Sequence, residues 1–195
     1  MCGIAAAFRL SRAPGPPLEA SVRAMNHLQR HRGPDGEGAW THPRGFVSFG
    51  HRRLSIIDLE SGQQPMGDGG GNWITYNGET YNYVELRAQL SGSAFRTQSD
   101  TEVLLHAYRK WGPDCLAELR GMFAFVLWDE TEQMLFCARD RFGIKPLYYA
   151  VTDGVLYLAS EIKALLPFLP SVGTDLDGFR DYLTFQFCLA GKTLF

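Results

Sequence analysis

The run Met122-Phe123-Ala124-Phe125-Val126-Leu127-Trp128 is apolar at every position. Successive side chains of a strand point to opposite faces, so a strand wetted on one side alternates polar with apolar. This run does not alternate, and a sheet built on it needs cover on both faces. Residues 134–139, 147–151 and 155–159 read as the strands that follow it, antiparallel and joined by short polar connections at 130–133 and 152–154. Sheets inside and helices outside, in a layered sandwich, would bury both faces. At 195 residues and 45% hydrophobic, the chain has enough apolar material for one such domain, or for one domain plus a fragment of a second.

Residues 2–10 read as a buried strand and 12–17 as a Pro/Gly loop. Leu18, Val22, Met25 and Leu28 recur at helical spacing, predicting a helix over 18–30 that His31-Arg32-Gly33-Pro34-Asp35-Gly36 breaks. Residues 46–49 and 54–59 look like strands. The glycine-rich 67–71 lacks the trailing Gly-Lys-Ser/Thr of a phosphate loop and reads as a hairpin end. Strand 73–76 leads into Asn77-Gly78, a strong hairpin signal. Asn82 with Glu85, and Ser99 with Glu102, match capping boxes before two further helices. Gly112-Pro113 ends the second. Residues 161–166 look like a short helix closed by Pro167, 171–177 like a linker, and 179–187 turn apolar again.

Nineteen Lys and Arg against twenty-one Asp and Glu leave a formal charge of −2. That balance points to no nucleic acid and to no acidic tail. No apolar run reaches the roughly 18 residues of a membrane span, and Met1-Cys2-Gly3-Ile4 lacks the features of a signal peptide. The cysteines at 2, 115, 137 and 188 form no CxxC pair, which argues against a zinc site and against a disulfide framework. The expectation is a cytoplasmic chain with free thiols, no metal, no membrane and no nucleic-acid partner.

Cys2 stands in an unusual place. Removal of Met1 would leave a cysteine carrying both a thiol and a free α-amine. In general these groups titrate near pH 8.5 and about 7.7–8.0, so the amine is matched to take the thiol proton and return it to a leaving group. By position alone Cys2 also reads as a small buried residue at a strand start.

Met1-Cys2-Gly3-Ile4, His31-Arg32-Gly33-Pro34-Asp35 and Tyr76-Asn77-Gly78-Glu79-Thr80-Tyr81-Asn82 together resemble the class II, N-terminal-nucleophile glutamine amidotransferases. Three further blocks resemble the asparagine-synthetase branch of that family: Arg53-Leu54-Ser55-Ile56-Ile57-Asp58, the run from Arg139 to Tyr148, and Ala159-Ser160-Glu161-Ile162-Lys163-Ala164-Leu165. The resemblance covers nearly the whole chain in order. It implies an α+β fold, the Ntn-hydrolase αββα four-layer sandwich of two antiparallel sheets between helical layers. It implies hydrolysis of L-glutamine to glutamate and ammonia through a γ-glutamyl thioester on Cys2.

The same resemblance assigns roles. Asn77 and Gly78 would form the oxyanion hole, though Asn-Gly is also a plain turn. Arg53 would hold the substrate α-carboxylate, with Arg52 an exposed neighbour. Glu79 and Asp100 would hold the α-ammonium, though Asp100 also suits a helix start. Ile56 and Ile57 would meet the ligand through their backbone. Arg32 and Asp35 would shape the site, or form a structural ion pair at a helix stop. Thr80, where the family more often has Ile or Leu, would make an ammonia path slightly less apolar. His27, His42, His51 and His106 have no partner spacing and read as surface or satisfied histidines.

On this reading residues 2–170 are the glutaminase domain, and 171–195 are a linker and the start of an ATP-dependent synthetase domain. That domain's Ser-Gly-Gly-x-Asp-Ser-type loop does not occur here. No cofactor is expected in this segment, and ATP and Mg belong to the synthetase half. The partners implied are L-glutamine and that half, and a homodimer is compatible. Two other readings stay open: a catalytically silent glutamine-binding module, and a glutaminase serving an acceptor other than aspartate.

Overall fold

A computed structural model of the chain describes all residues except 14, 56, 57, 59, 60, 91, 93, 190 and 195. It divides into two compact units, 1–165 and 166–195. In the first, strands β1 (Gly3–Arg9), β2 (Gly36–Thr41), β3 (Val47–Arg53), β4 (Met66–Gly67), β5 (Trp73–Thr80), β6 (Gly121–Asp129), β7 (Met134–Arg139), β8 (Tyr148–Thr152) and β9 (Val155–Ala159) form two sheets. Their orders are β2-β3-β1-β9-β8 and β4-β5-β6-β7. All strand pairs are antiparallel. Helix α1 (Glu19–Leu28) covers the first sheet, and α2 (Tyr83–Gln89), α3 (Asp100–Trp111) and α4 (Cys115–Glu118) lie on the side of the second.

The unbroken apolar run of β6 now has its cause. Ala124, Val126 and Trp128 pack with Ile4, Ala6, Phe8, Val47 and Phe49 between the sheets. Phe123, Phe125 and Leu127 turn the other way, onto Leu86, Val103, Leu104 and Tyr108 of the helical layer. The outer face of the first sheet carries small residues where α1 is seated. A Cβ on Gly50 would lie 2.5 Å from Asn26 Oδ1 and 2.6 Å from Val22 Cγ1. The layers are therefore helix, sheet, sheet, helix, the α+β arrangement implied above. Among the described residues, no helix is long and apolar enough to cross a membrane.

Several local expectations give way. Asn77-Gly78 makes no hairpin: β5 runs straight through it, paired with β6 from Trp73↔Trp128 to Thr80↔Gly121. That ladder outweighs a two-residue turn preference. The strand expected at 46–49 forms as β3 and runs on to Arg53; of the strand expected at 54–59, residues 54, 55 and 58 lie in no strand, and 56, 57 and 59 lie outside the described residues. The four strands from 122 onward are not one meander, because β7 joins the second sheet and β8 the first. Asn82 caps α2 by position only. Its side chain bridges Glu118 O (2.9 Å) and Arg120 N (2.9 Å) instead. Ser99 caps α3 by accepting from Thr101 N at 3.0 Å, but Glu102 holds Arg96 N and Thr97 N rather than closing the box. Strand β2 is an element the sequence reading did not contain.

In the second unit, α5 (Leu176–Phe185) starts inside the stretch that reads as linker. Asp175 caps it by accepting from Asp177 N and Gly178 N, at 2.9 and 3.1 Å. Lys192 Nζ bonds Asp181 Oδ2 at 2.6 Å. Gly178 lets the closing segment cross the helix, since a Cβ there would lie 2.0 Å from Thr193 O.

Candidate active site

Cys2, Arg53, Asn77, Gly78, Glu79 and Asp100 all line one pocket, together with Met1, His51, Leu54, Gln64, Tyr76, Thr101, Met122 and Lys145. The β1–β3 register sets Gly3 opposite Arg52, so Cys2 comes alongside Arg53. Strand β5 brings Asn77–Glu79 from the facing sheet. The first turn of α3 supplies Asp100 and Thr101, and the crossing from β7 to β8 supplies Lys145. Ile56 and Ile57 lie outside the described residues.

Cys2 is half-buried, with Sγ 3.5 Å from Leu54 O and 3.4 Å from Leu54 N. Its carbonyl accepts from Arg32 Nε at 2.9 Å. Arg32 pairs with Glu161 at 3.0 Å, and His31 Nε2 meets the same oxygen at 2.8 Å. Burial by itself raises the Glu161 carboxyl, but hydrogen bonds from Arg32, Lys163 and His31 bring it below its ordinary value. Two sequence blocks 130 residues apart thus join to hold the backbone of Cys2. The ion pair of Arg32 is with Glu161, not Asp35. Asp35 accepts from Ser55 N at 2.8 Å, and its own N–H bonds Arg53 O at 3.0 Å. Gly33 lets this segment cross β3, because a Cβ there would lie 2.3 Å from the Arg52 carbonyl carbon.

Arg53 is 6% exposed and donates to the Asp58 carbonyl. Arg52 pairs with Glu37 across the strands at 2.6 Å, but its side chain is only 15% exposed rather than the exposed neighbour expected. Asp100 is both a helix-start residue and a pocket residue. Its Oδ2 accepts from Thr80 N (3.0 Å) and Tyr76 OH (2.9 Å). Burial raises its carboxyl above the ordinary value, and raises the Tyr76 hydroxyl well above its own. The Thr80 hydroxyl is 3.1 Å from Tyr76 OH, and Thr80 does not line the pocket. Gln64 ties β5 to α3, accepting from Tyr76 N at 2.7 Å and donating to Thr101 Oγ1 at 3.2 Å.

Among the described residues lining the pocket, two side chains carry buried, unpartnered polar atoms: Asn77 Nδ2 and His51 Nδ1. Gly78 belongs where it is for a packing reason: a Cβ would lie 2.6 Å from Met122 O and 2.7 Å from the Tyr76 ring. His51 is neither a surface nor a satisfied histidine. It is 1% exposed, and Nε2 is 3.1 Å from Tyr76 O. Burial pulls its ring down to about 4, so it is neutral at pH 7. The Tyr76 carbonyl can only accept, so Nε2 carries the proton and Nδ1 the lone pair.

Lys145, 7% exposed, also lines the pocket, with no local sequence signal to mark it. Asp140 builds the loop that delivers it. Its carboxylate accepts from the backbone N–H groups of Phe123 (3.2 Å), Phe142 (3.1 Å), Ile144 (2.9 Å) and Lys145 (3.0 Å). Burial alone would raise this carboxyl, but those amides hold it below the ordinary value. A carboxyl depressed by folding stabilises the fold above its unfolded value of about 3.9 and loses that effect as pH falls through the folded one. Asp140→Ala is expected to cost roughly 2–4 kcal/mol at pH 7, because several amides lose their acceptor. The gap between variant and parent should narrow in acid, as read from urea midpoints at pH 7 and below about 4.

The pocket thus combines a thiol, an unpartnered amide donor, two cations and two carboxylates. Such a set suits a zwitterion with a reactive carbonyl. Among the described residues, no group of three or more His, Cys, Asp or Glu side chains is placed to hold a metal.

Comparison with known proteins agrees with this chemistry. A family model described as a glutamine amidotransferase domain matches residues 1–195. The chain is 43% identical over 198 residues to asparagine synthetase [glutamine-hydrolyzing] 1 of Bacillus subtilis, covering 100% of this chain and 31% of that protein. It is 49% identical over 144 residues to amidase chry2 of Gibberella zeae, covering 72% and 22%. The chain spans about a third or less of the length of these relatives. Among solved structures, glutamine phosphoribosylpyrophosphate amidotransferase of B. subtilis superposes with a TM-score of 0.70 at 23% identity, over 84% of this chain and 43% of that one. At that identity the likeness speaks to the fold. Matched along its whole length by the family model, the chain belongs to the glutamine amidotransferases.

Proposed function

We infer that this chain hydrolyses L-glutamine to glutamate and ammonia, with Cys2 as nucleophile. The observation that carries the reading is the meeting of the Cys2 thiol and the unpartnered Asn77 amide in one pocket with Arg53, Glu79 and Asp100. Loss of Met1 frees the α-amine of Cys2, which takes the thiol proton as Sγ attacks the side-chain carbonyl. Charge develops on the carbonyl oxygen, and the Asn77 Nδ2 and Gly78 N–H donors receive it. The C–N bond breaks as the amine returns the proton to nitrogen, and ammonia leaves. Water then cleaves the thioester through the same oxyanion, giving glutamate. Arg53 suits the α-carboxylate, and Glu79 and Asp100 the α-ammonium. The backbone at Ile56 and Ile57 would complete that end.

Residues 2–170 would form the glutaminase domain of a longer cytoplasmic protein, with 171–195 leading into an ATP-dependent domain that consumes the ammonia. ATP and Mg would serve that domain alone. The B. subtilis relative favours aspartate as acceptor. The 49% identity to an amidase favours a second reading, in which the ammonia goes to another acceptor. Both readings share the glutaminase chemistry.

The test is the intact mass of the purified chain before and after treatment with a diazoketone analogue of glutamine. Loss of Met1 with one adduct, absent in Cys2→Ala, is expected. A processed chain that takes up no adduct would instead mark a silent glutamine-binding module.

A further inference from the structure

Among the described residues, Asn77 and His51 are the two pocket-lining side chains with enclosed, unpartnered polar atoms. The two atoms are complementary. Asn77 Nδ2 is a donor, and His51 Nδ1 is an acceptor because Nε2 faces the Tyr76 carbonyl at 3.1 Å. A primary carboxamide presents the matching pair, an oxygen that accepts and a nitrogen that donates.

The positions suit one ligand group. The β1–β3 register sets His51 opposite Ile4, two residues beyond Cys2. His51 reaches across to β5 at Tyr76, the residue before Asn77. Nucleophile, donor and acceptor all line the one pocket.

We propose that His51 accepts a hydrogen bond from the amide nitrogen of the substrate, and so lets the pocket tell a primary amide from the carboxylate it becomes. The assignment rests on the reading that Cys2 attacks glutamine. The nitrogen donates to Nδ1 before attack and keeps that contact while it takes the proton from the Cys2 amine and departs as ammonia. The product γ-carboxylate has no N–H, and its oxygens meet the Nδ1 lone pair unfavourably, which aids release. The neutral, single-tautomer ring serves this role across neutral pH.

The experiment compares glutamine with the γ-methyl ester of glutamate, whose leaving oxygen carries no hydrogen, on the processed chain. His51→Phe is expected to lower kcat/KM for glutamine by about tenfold or more while leaving ester hydrolysis nearly unchanged. His51→Gln, which keeps a donor and an acceptor, should restore much of the difference. Equal losses on both substrates, or no loss on either, would overturn the assignment. Calorimetry in a Cys2→Ala background supplies an arm without turnover: adding His51→Phe should cut the preference for glutamine over glutamate about tenfold. If that preference falls although the parent chain never hydrolyses glutamine, the nucleophile reading fails and His51 keeps its role. If the parent hydrolyses glutamine and the preference does not move, the reverse holds.

Discussion

Cys2→Ala is expected to abolish glutamine hydrolysis, with a fall in kcat of at least about a thousandfold, while leaving the fold and much of the glutamine affinity intact. Removing the nucleophile from a covalent mechanism removes the path itself, and losses well beyond a thousandfold are usual for such groups. The fold should be indifferent. Among the described residues, Cys2 Sγ hydrogen-bonds to the backbone of Leu54 at 3.4–3.5 Å, and the Cys2 carbonyl that Arg32 holds is unaffected by the side chain. Affinity should persist because Arg53, Glu79 and Asp100 remain. Stopped assays of released ammonia, beside calorimetry with glutamine, read both parts. The alkylation readout is helped by Cys115, which is fully buried and whose thiol is pushed up to about 12 by that burial. It is held as an unreactive thiol at neutral pH. Hydrolysis surviving in Cys2→Ala would end the thioester mechanism.

Asn77→Ala is expected to lower kcat by about 10²–10³-fold with little change in KM, the signature of a donor that acts on the transition state. The expectation for stability runs the other way. Asn77 Nδ2 is buried without a partner among the described residues, so its removal sacrifices no hydrogen bond and relieves a desolvation cost. The urea midpoint should be unchanged or raised as activity falls, the trade expected where a site holds a group ready for a ligand. A plain structural asparagine predicts the opposite, a lower midpoint with kcat unaffected. On the proposed mechanism Asn77 and Cys2 act in one step, so the double variant should lose no more than Cys2→Ala alone.

Much of this architecture was legible in the residues. The two-faced run at 122–128 demanded cover on both sides, and the cap at Ser99 marked the start of α3. What failed were inferences from short windows. Asn77-Gly78 favours a turn on its own, but continuous pairing with β6 keeps it extended. Asn82 resembles a cap, but the backbone at Glu118 and Arg120 offers its amide better partners. Strand β2 escaped notice because Gly36-Glu37-Gly38 lacks apolar alternation. It forms because β3 supplies its ladder.

The site divides in the same way. Cys2 stands out by position, and Arg53, Asn77, Gly78, Glu79 and Asp100 are named through the family resemblance of their blocks; the chain brings all six to one pocket. His51 and Lys145 were not nameable. The tautomer of His51 depends on a carbonyl 25 residues away, and the placement of Lys145 on a loop that Asp140 organises. Arg32 and Glu161 each stood in a recognisable block, yet nothing local joined them.

The sequence by itself determined which functional groups exist and which strands must be covered on both faces. Those properties belong to single residues and to spacings of two to four. The tertiary structure alone decided which polar atoms are paired, which are neutral and which are left open to a ligand. Burial and hydrogen bonding set those states, and both come from neighbours distant in the chain.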